Sequence, residues 1–135
     1  MKNRLTWESS HMKINICYFS HVIFMNPCTF FKCLADDTRL KSLFLIAKAE
    51  EACVCDLMTA LQLDQPKISR HLAQLRKCGI VLDERRGKWV YYKLHPDLPQ
   101  WARDIILNAA FHNPDYFASA LQQMTAAQTS ASSAC

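Results

Sequence analysis

Two thiols stand one residue apart in the stretch Glu50-Glu-Ala-Cys-Val-Cys-Asp-Leu-Met58. Thiolates are soft donors and select soft ions and thiophilic metalloids over hard cations. Cys53 and Cys55 are therefore candidate ligands. A closed structural zinc site wants four donors, usually from paired Cys and His motifs. The chain has no CxxC and no clean His pair. Two close thiols in an incomplete set suit a species of lower coordination number, such as trivalent arsenic or antimony, better than zinc. The plain alternative is that both cysteines are small core hydrophobes. A second alternative is redox sensing, in which Cys53 or Cys55 oxidises instead of binding an ion. A thiol-dependent enzyme would need a CxxC or an activated cysteine with a paired base, and neither is evident.

Spacing adds a constraint. A helix turns about 100° per residue, so residues i and i+2 point nearly opposite ways. Cys53 and Cys55 can share one ion only where the backbone is extended or frayed, as at a helix end. A ligand held there would reshape the first turn of the helix that follows, coupling its chemistry to whatever that helix supports.

A second constellation lies just downstream. Gln65, Lys67, Ser69, Arg70, His71 and Gln74 fall away from an apolar stripe of Ile68, Leu72 and Leu75. Arg and Gln can make bidentate contacts with base edges, while Ser and Lys suit base or phosphate. Arg85, Arg86 and Lys88 follow, placed to clamp phosphate or reach a minor groove. Between Gln65 and Leu94 eight lysines and arginines stand against two acids, a net charge of +6, while the rest of the chain carries −2. One charged helix face alone reads as a solvated surface. Positive charge confined to two adjacent elements points to double-stranded DNA. His71 reads equally as a DNA contact or a plain surface residue. Trp89, Tyr91 and Tyr92 read as packing rather than base stacking.

These residues need elements to hold them. Leu40, Leu43, Phe44 and Ala47 recur at helical steps within 30–49, with Asp36 or Asp37 as cap and a short helix bearing Phe30, Phe31 and Leu34 ahead of it. Val54–Leu63 reads as a short amphipathic helix. The segment from Gln65 reads as a second, with Pro66 in its first turn and Gly79 at its end. Two short helices with a tight connector make a helix-turn-helix. "IVLDE" and "KWVYYKL", separated by "RRG", read as a β-hairpin. The expected fold is mainly α with a β-hairpin wing, a winged helix-turn-helix. Leu98–Phe111 reads as a further helix, with Trp101, Ile105, Asn108 and Ala109 on one side. It has no partner within a small winged core, so it is the expected element of a homodimer.

The chain of 135 residues bounds one domain, and its 2 glycines disfavour an all-β fold. No apolar run approaches the roughly 20 residues of a membrane span. "INICYFSHVIFMNP" follows basic residues in the manner of a signal peptide, but no small-residue cleavage site comes after it. The seven cysteines are odd in number and show no disulfide framework, which fits a reduced, cytoplasmic protein. Residues 1–24 read as an extension, disordered or preceding a true start at Met25. Residues 25–112 read as the DNA-binding and sensor domain, and 113–135 as a largely disordered tail.

"LADDTRL", "CVCDL", "QPKISRHLAQLRKCGI" and "GKWVYYKL" together resemble the ArsR/SmtB family of winged-helix repressors, its arsenic-responsive branch most closely. The similarity runs collinearly from Met25 to Ala110. It implies a homodimer that represses a resistance operon and leaves operator DNA when As(III) or Sb(III) binds as inducer. Cys53 and Cys55 match the arsenic-coordinating pair. The family's commonest motif carries a third cysteine three positions on, where this chain has Met58. A thioether is a weak third ligand, and Met58 fits the apolar stripe. The third position falls to solvent or to another thiol, with Cys33 and Cys28 as candidates and Cys78 as a poorer one. The C-terminal helix lacks the Asp/His/Glu pattern of the zinc-sensing members.

Overall fold

The computed structural model describes residues 25–130. The expectations for residues 1–24 lie outside them. In chain order the elements are α1 (Pro27–Leu34), α2 (Asp37–Ala49), β1 (Ala52–Cys53), α3 (Val54–Leu61), α4 (Gln65–Lys77), β2 (Val81–Arg86), β3 (Trp89–Leu94), α5 (Gln100–His112) and α6 (Pro114–Ser130).

Side-chain caps start three helices. Asn26 accepts from the Thr29 N–H ahead of α1, Asp36 from the Arg39 N–H ahead of α2, and Asp64 from the Lys67 N–H ahead of α4. Each satisfies a donor that the first turn leaves without a helical partner. Pro66 stands in the first turn of α4, where its missing N–H costs nothing. Beyond Cys78, Gly79 takes a left-handed φ of 77° and turns the chain into the wing.

The core is built around α2, whose Leu43, Leu45 and Ile46 are fully buried. Leu57 of α3 and Ile68, Leu72 and Leu75 of α4 close on it, with Ile80 and Val81 leading into the wing. The three stripe residues of α4 are thus all inside, and its polar face is left outward. In the short helix, Phe30 and Leu34 are buried but Phe31 is half exposed.

The sheet has the order β1-β3-β2 and is antiparallel throughout. Val81 pairs with Leu94 at the base of the hairpin and Arg86 with Trp89 at its tip. Gly87 and Lys88 make the turn, and Gly87 supplies its positive φ of 65°. Arg85 and Arg86 therefore lie in β2 rather than in the turn.

Two expectations for the C-terminal third are corrected. α5 does find a partner within the core: Leu98, Ala102 and Ile106 are buried and the helix packs on α2, while Trp101, Leu107 and Phe111 are exposed. The segment from residue 114 is helical and docked, not a disordered tail. α6 breaks at Phe117 (φ −128°, ψ 18°), then lays Phe117, Ala120 and Met124 into the core along α3 and α2. Tyr116 Oη donates to Asp37 Oδ1 at 2.6 Å, and its ring meets Phe44 edge-on. These buried apolar contacts outweigh the small, polar composition that made the segment read as tail.

Candidate nucleic-acid interface and thiol site

The thiol turn is extended where sharing requires it to be. Cys53 is the residue before α3, with φ −87° and ψ 165°, and it pairs with Tyr91 of β3. Cys55 lies in the first turn of α3. The pair thus straddles a strand-to-helix junction instead of diverging around a regular helix. Asp56 steadies the junction, its Oδ2 accepting the Cys53 N–H at 3.3 Å. The same Oδ2 accepts from Gln128 Nε2 of α6 at 3.1 Å.

Both cysteines line one cleft of about 330 Å³. Val54 and Met58 share its α3 wall. Gln65, the first residue of α4, and Lys88, Trp89 and Val90 of the wing complete it. A ligand in this cleft would touch α3, the start of α4 and the wing at once. Burial pushes the Cys53 thiol up from its ordinary value, and the neighbouring Asp56 carboxylate adds to that. Cys55 is disulfide-bonded. Cys28, Cys33, Cys53 and Cys78 are free.

The other thiols considered at the sequence level lie elsewhere. Cys33 is buried, its Sγ directed at the Gln74 carbonyl oxygen at 3.7 Å and placed beside Cys78. Burial and that neighbour push its thiol up to about 12. Cys28 is exposed in the first turn of α1, a helix that packs on α2. No group of three His, Cys, Asp or Glu side chains able to hold a metal ion occurs among the described residues. Two soft sulfurs facing one cleft fit a thiophilic species as part of its donor set, and among the described residues the cleft holds no third thiol, only the Met58 thioether.

The basic surface divides on inspection. Gln65, Lys67, Arg70 and Gln74 are exposed on the outer face of α4, with Ser69 half-buried among them. His71 is turned inward: its Nδ1 is buried without a hydrogen bond, 3.6 Å from Asp36 Oδ1. It sits between α4 and the cap of α2, so that ring nitrogen is not offered to DNA. Arg85 and Lys88 are exposed on the wing. Arg86 is engaged on the protein itself. Its guanidinium makes a two-point pair with Glu51, with Nη2 to Oε1 at 2.9 Å, and also bonds Glu84. It lies over the Tyr91 ring, 4.6 Å from the centroid. This guanidinium holds the Glu51 and Glu84 carboxyls below their usual range. Arg86 thus ties the wing to the residue two places before Cys53. Sequence reading had no signal for that pairing, because Glu51 and Arg86 are 35 positions apart.

The family model for the bacterial regulatory proteins of the arsR family matches residues 36–82, from the cap of α2 into β2. The arsenic resistance transcriptional regulator ArsR1 of Pseudomonas putida is 53% identical over 92 residues, 68% of this chain and 72% of that one. The chain belongs to the ArsR family. The arsenical resistance operon repressor of Escherichia coli K12 is 55% identical over 83 residues, covering 62% of this chain and 71% of that one. Among solved structures, the antimony-specific transcriptional repressor AntR superposes with a TM-score of 0.53 at 26% identity, over 64% of this chain and 75% of that one. This ArsR-family chain is a transcriptional regulator with a winged helix-turn-helix, in which α4 is the second helix. No described helix is long and apolar enough to cross a membrane.

Proposed function

We propose that this chain is a metalloid-responsive repressor that holds operator DNA as a homodimer and leaves it when As(III) or Sb(III) binds Cys53 and Cys55. The observation that carries this reading is the shared cleft, walled by both thiols, the start of α4 and the wing. The names of the arsenic and antimony regulators it resembles support the choice of ligand.

In the DNA-bound state the outer face of α4 enters the major groove, with Gln65, Lys67, Ser69, Arg70 and Gln74 toward bases and phosphates. Arg85 and Lys88 add phosphate contacts from the wing. The bound metalloid supplies bonds to two sulfurs on either side of the strand-to-helix junction. Cys53 cannot shift without disturbing its pairing with Tyr91, and Glu51 beside it anchors Arg86. Cys55 cannot shift without turning α3, which packs on α4. Both displacements tilt recognition elements away from a shared DNA surface.

Dimerisation is assigned to α1 and α5. Phe31, Trp101, Leu107 and Phe111 leave large apolar area exposed there. Two-fold pairing through these helices would set two copies of α4 on successive half-sites.

The disulfide at Cys55 favours a second reading, in which oxidation rather than a metalloid releases DNA. Operator binding by the fully reduced protein separates the two. Arsenite or antimonite should release it without oxidant. Release by peroxide alone, reversed by thiol, with none by arsenite, would establish the redox reading instead.

A further inference from the structure

Cys33 and Cys78 make a second thiol pair, apart from the cleft and built by different elements. Cys33 lies in the last turn of α1, and Cys78 is the residue that caps the end of α4. Both converge on one atom. The Gln74 carbonyl oxygen accepts from the Cys78 N–H at 3.1 Å and from Cys33 Sγ at 3.7 Å. The two thiols also share a side-chain hydrogen bond. An ion bridging them would have to force the sulfurs apart, whereas a disulfide draws them closer, to about 2.0 Å.

The pair is asymmetric. Cys33 is 6% exposed and packs in the core, while Cys78 is only partly buried. Burial, with Cys78 beside it, pushes the Cys33 thiol up to about 12, so it stays protonated at neutral pH. An oxidant arriving from solvent therefore meets Cys78 first, and Cys33 waits behind it as the second thiol.

We propose that Cys33 and Cys78 form a reversible disulfide, with a hydroperoxide as oxidant, that shifts the end of α4 and weakens DNA binding. The Cys78 thiolate attacks one peroxide oxygen and the O–O bond breaks. The hydroxide that leaves takes up the proton Cys78 gave, and Cys78 becomes a sulfenic acid. Cys33 sulfur then bonds Cys78 Sγ, and its proton departs with the sulfenic hydroxyl as water. Two thiols and one hydrogen peroxide thus become one disulfide and two waters. Closing the bond takes the Cys33 donor from the Gln74 carbonyl and pulls the last turn of α4 toward α1. Gln74 is also an exposed residue of the face proposed to meet DNA, so the strain reaches that face directly. The device stands whether or not Cys53 and Cys55 bind a metalloid.

The test is hydrogen peroxide treatment of the full, reduced chain, read by non-reducing peptide mass mapping and by anisotropy of labelled operator. Wild type should give a Cys33–Cys78 linked peptide, two hydrogens lighter than its parts. Operator affinity should fall at least roughly fivefold and be restored by dithiothreitol. Cys53→Ser/Cys55→Ser should respond in the same way, which separates this pair from oxidation at Cys55. Adding Cys78→Ser to that background should abolish both the linked peptide and the loss of affinity. Adding Cys33→Ala instead should leave a sulfenic acid on Cys78, trapped by dimedone. Cys33 left reduced in peroxide-treated wild type, or linked to another cysteine, overturns the proposal. So does a linked peptide with unchanged operator affinity, a response lost in Cys53→Ser/Cys55→Ser, or one that survives Cys78→Ser in that background.

Discussion

Cys53 and Arg86 show how much one position depends on its neighbours. The CxC spacing alone stated the condition for sharing a ligand, an extended or frayed backbone, and Cys53 meets it by doubling as a strand residue and the residue before α3. Reactivity should report the same environment. Burial raises the Cys53 and Cys33 thiols, so less of each is thiolate at neutral pH and more forms as pH rises. In the reduced protein, iodoacetamide should therefore label exposed Cys28 before Cys53 at pH 7.5, and Cys33 last, as followed by mass spectrometry of timed digests. Arg86 was legible only as one of three wing cations. Its engagement with Glu51 and Glu84 separates it from Arg85. Arg85→Ala should lower the salt slope of operator binding by about one unit. Arg86→Ala should leave that slope nearly unchanged while speeding amide exchange of the β3 strand. Equal slopes for Arg85→Ala and wild type would remove Arg85 from the interface.

Among the elements, the helix-turn-helix and wing could be read from local signals. Asp64-Gln-Pro, the stripe of Ile68, Leu72 and Leu75, and the Gly87 turn are all short-range patterns that the structure keeps. The docking of α5 on α2 through Ala102 and Ile106, and the whole of α6, were not legible. Trp101 and Phe111 are large, apolar and exposed, as expected of a helix side that finds no partner within this chain. The segment 114–130 was misjudged by its tail of Ala, Ser and Thr. Alanine is the best helix former, and Phe117, Ala120 and Met124 recur at helical steps that composition conceals. Met124→Ala should cost about 2–5 kcal/mol of stability, seen as a lower denaturation midpoint. A change below about 0.5 kcal/mol would mean that α6 is not part of the cooperative fold.

At the scale of the molecule, the proposed DNA-contacting and thiol residues meet at one cleft of α3, α4 and the wing, and the proposed pairing surface lies on α1 and α5. Leu107 and Phe111 also wall a larger apolar groove of about 700 Å³ against α6, so substitutions there test assembly without touching the thiol cleft. Phe111→Glu should convert a dimer to monomer in sedimentation and weaken operator binding by at least roughly tenfold, since half of the paired contacts are lost. A Phe111→Glu protein that sediments as wild type would move the interface elsewhere. Whether Cys53 and Cys55 act on α4 and the wing is read most directly by fluorescence anisotropy of labelled operator DNA, titrated with arsenite against reduced wild type and Cys53→Ser/Cys55→Ser. Both proteins should bind DNA equally well, and only wild type should be released. Wild type that stays bound in saturating arsenite, or a double variant released at the same concentration, would contradict it.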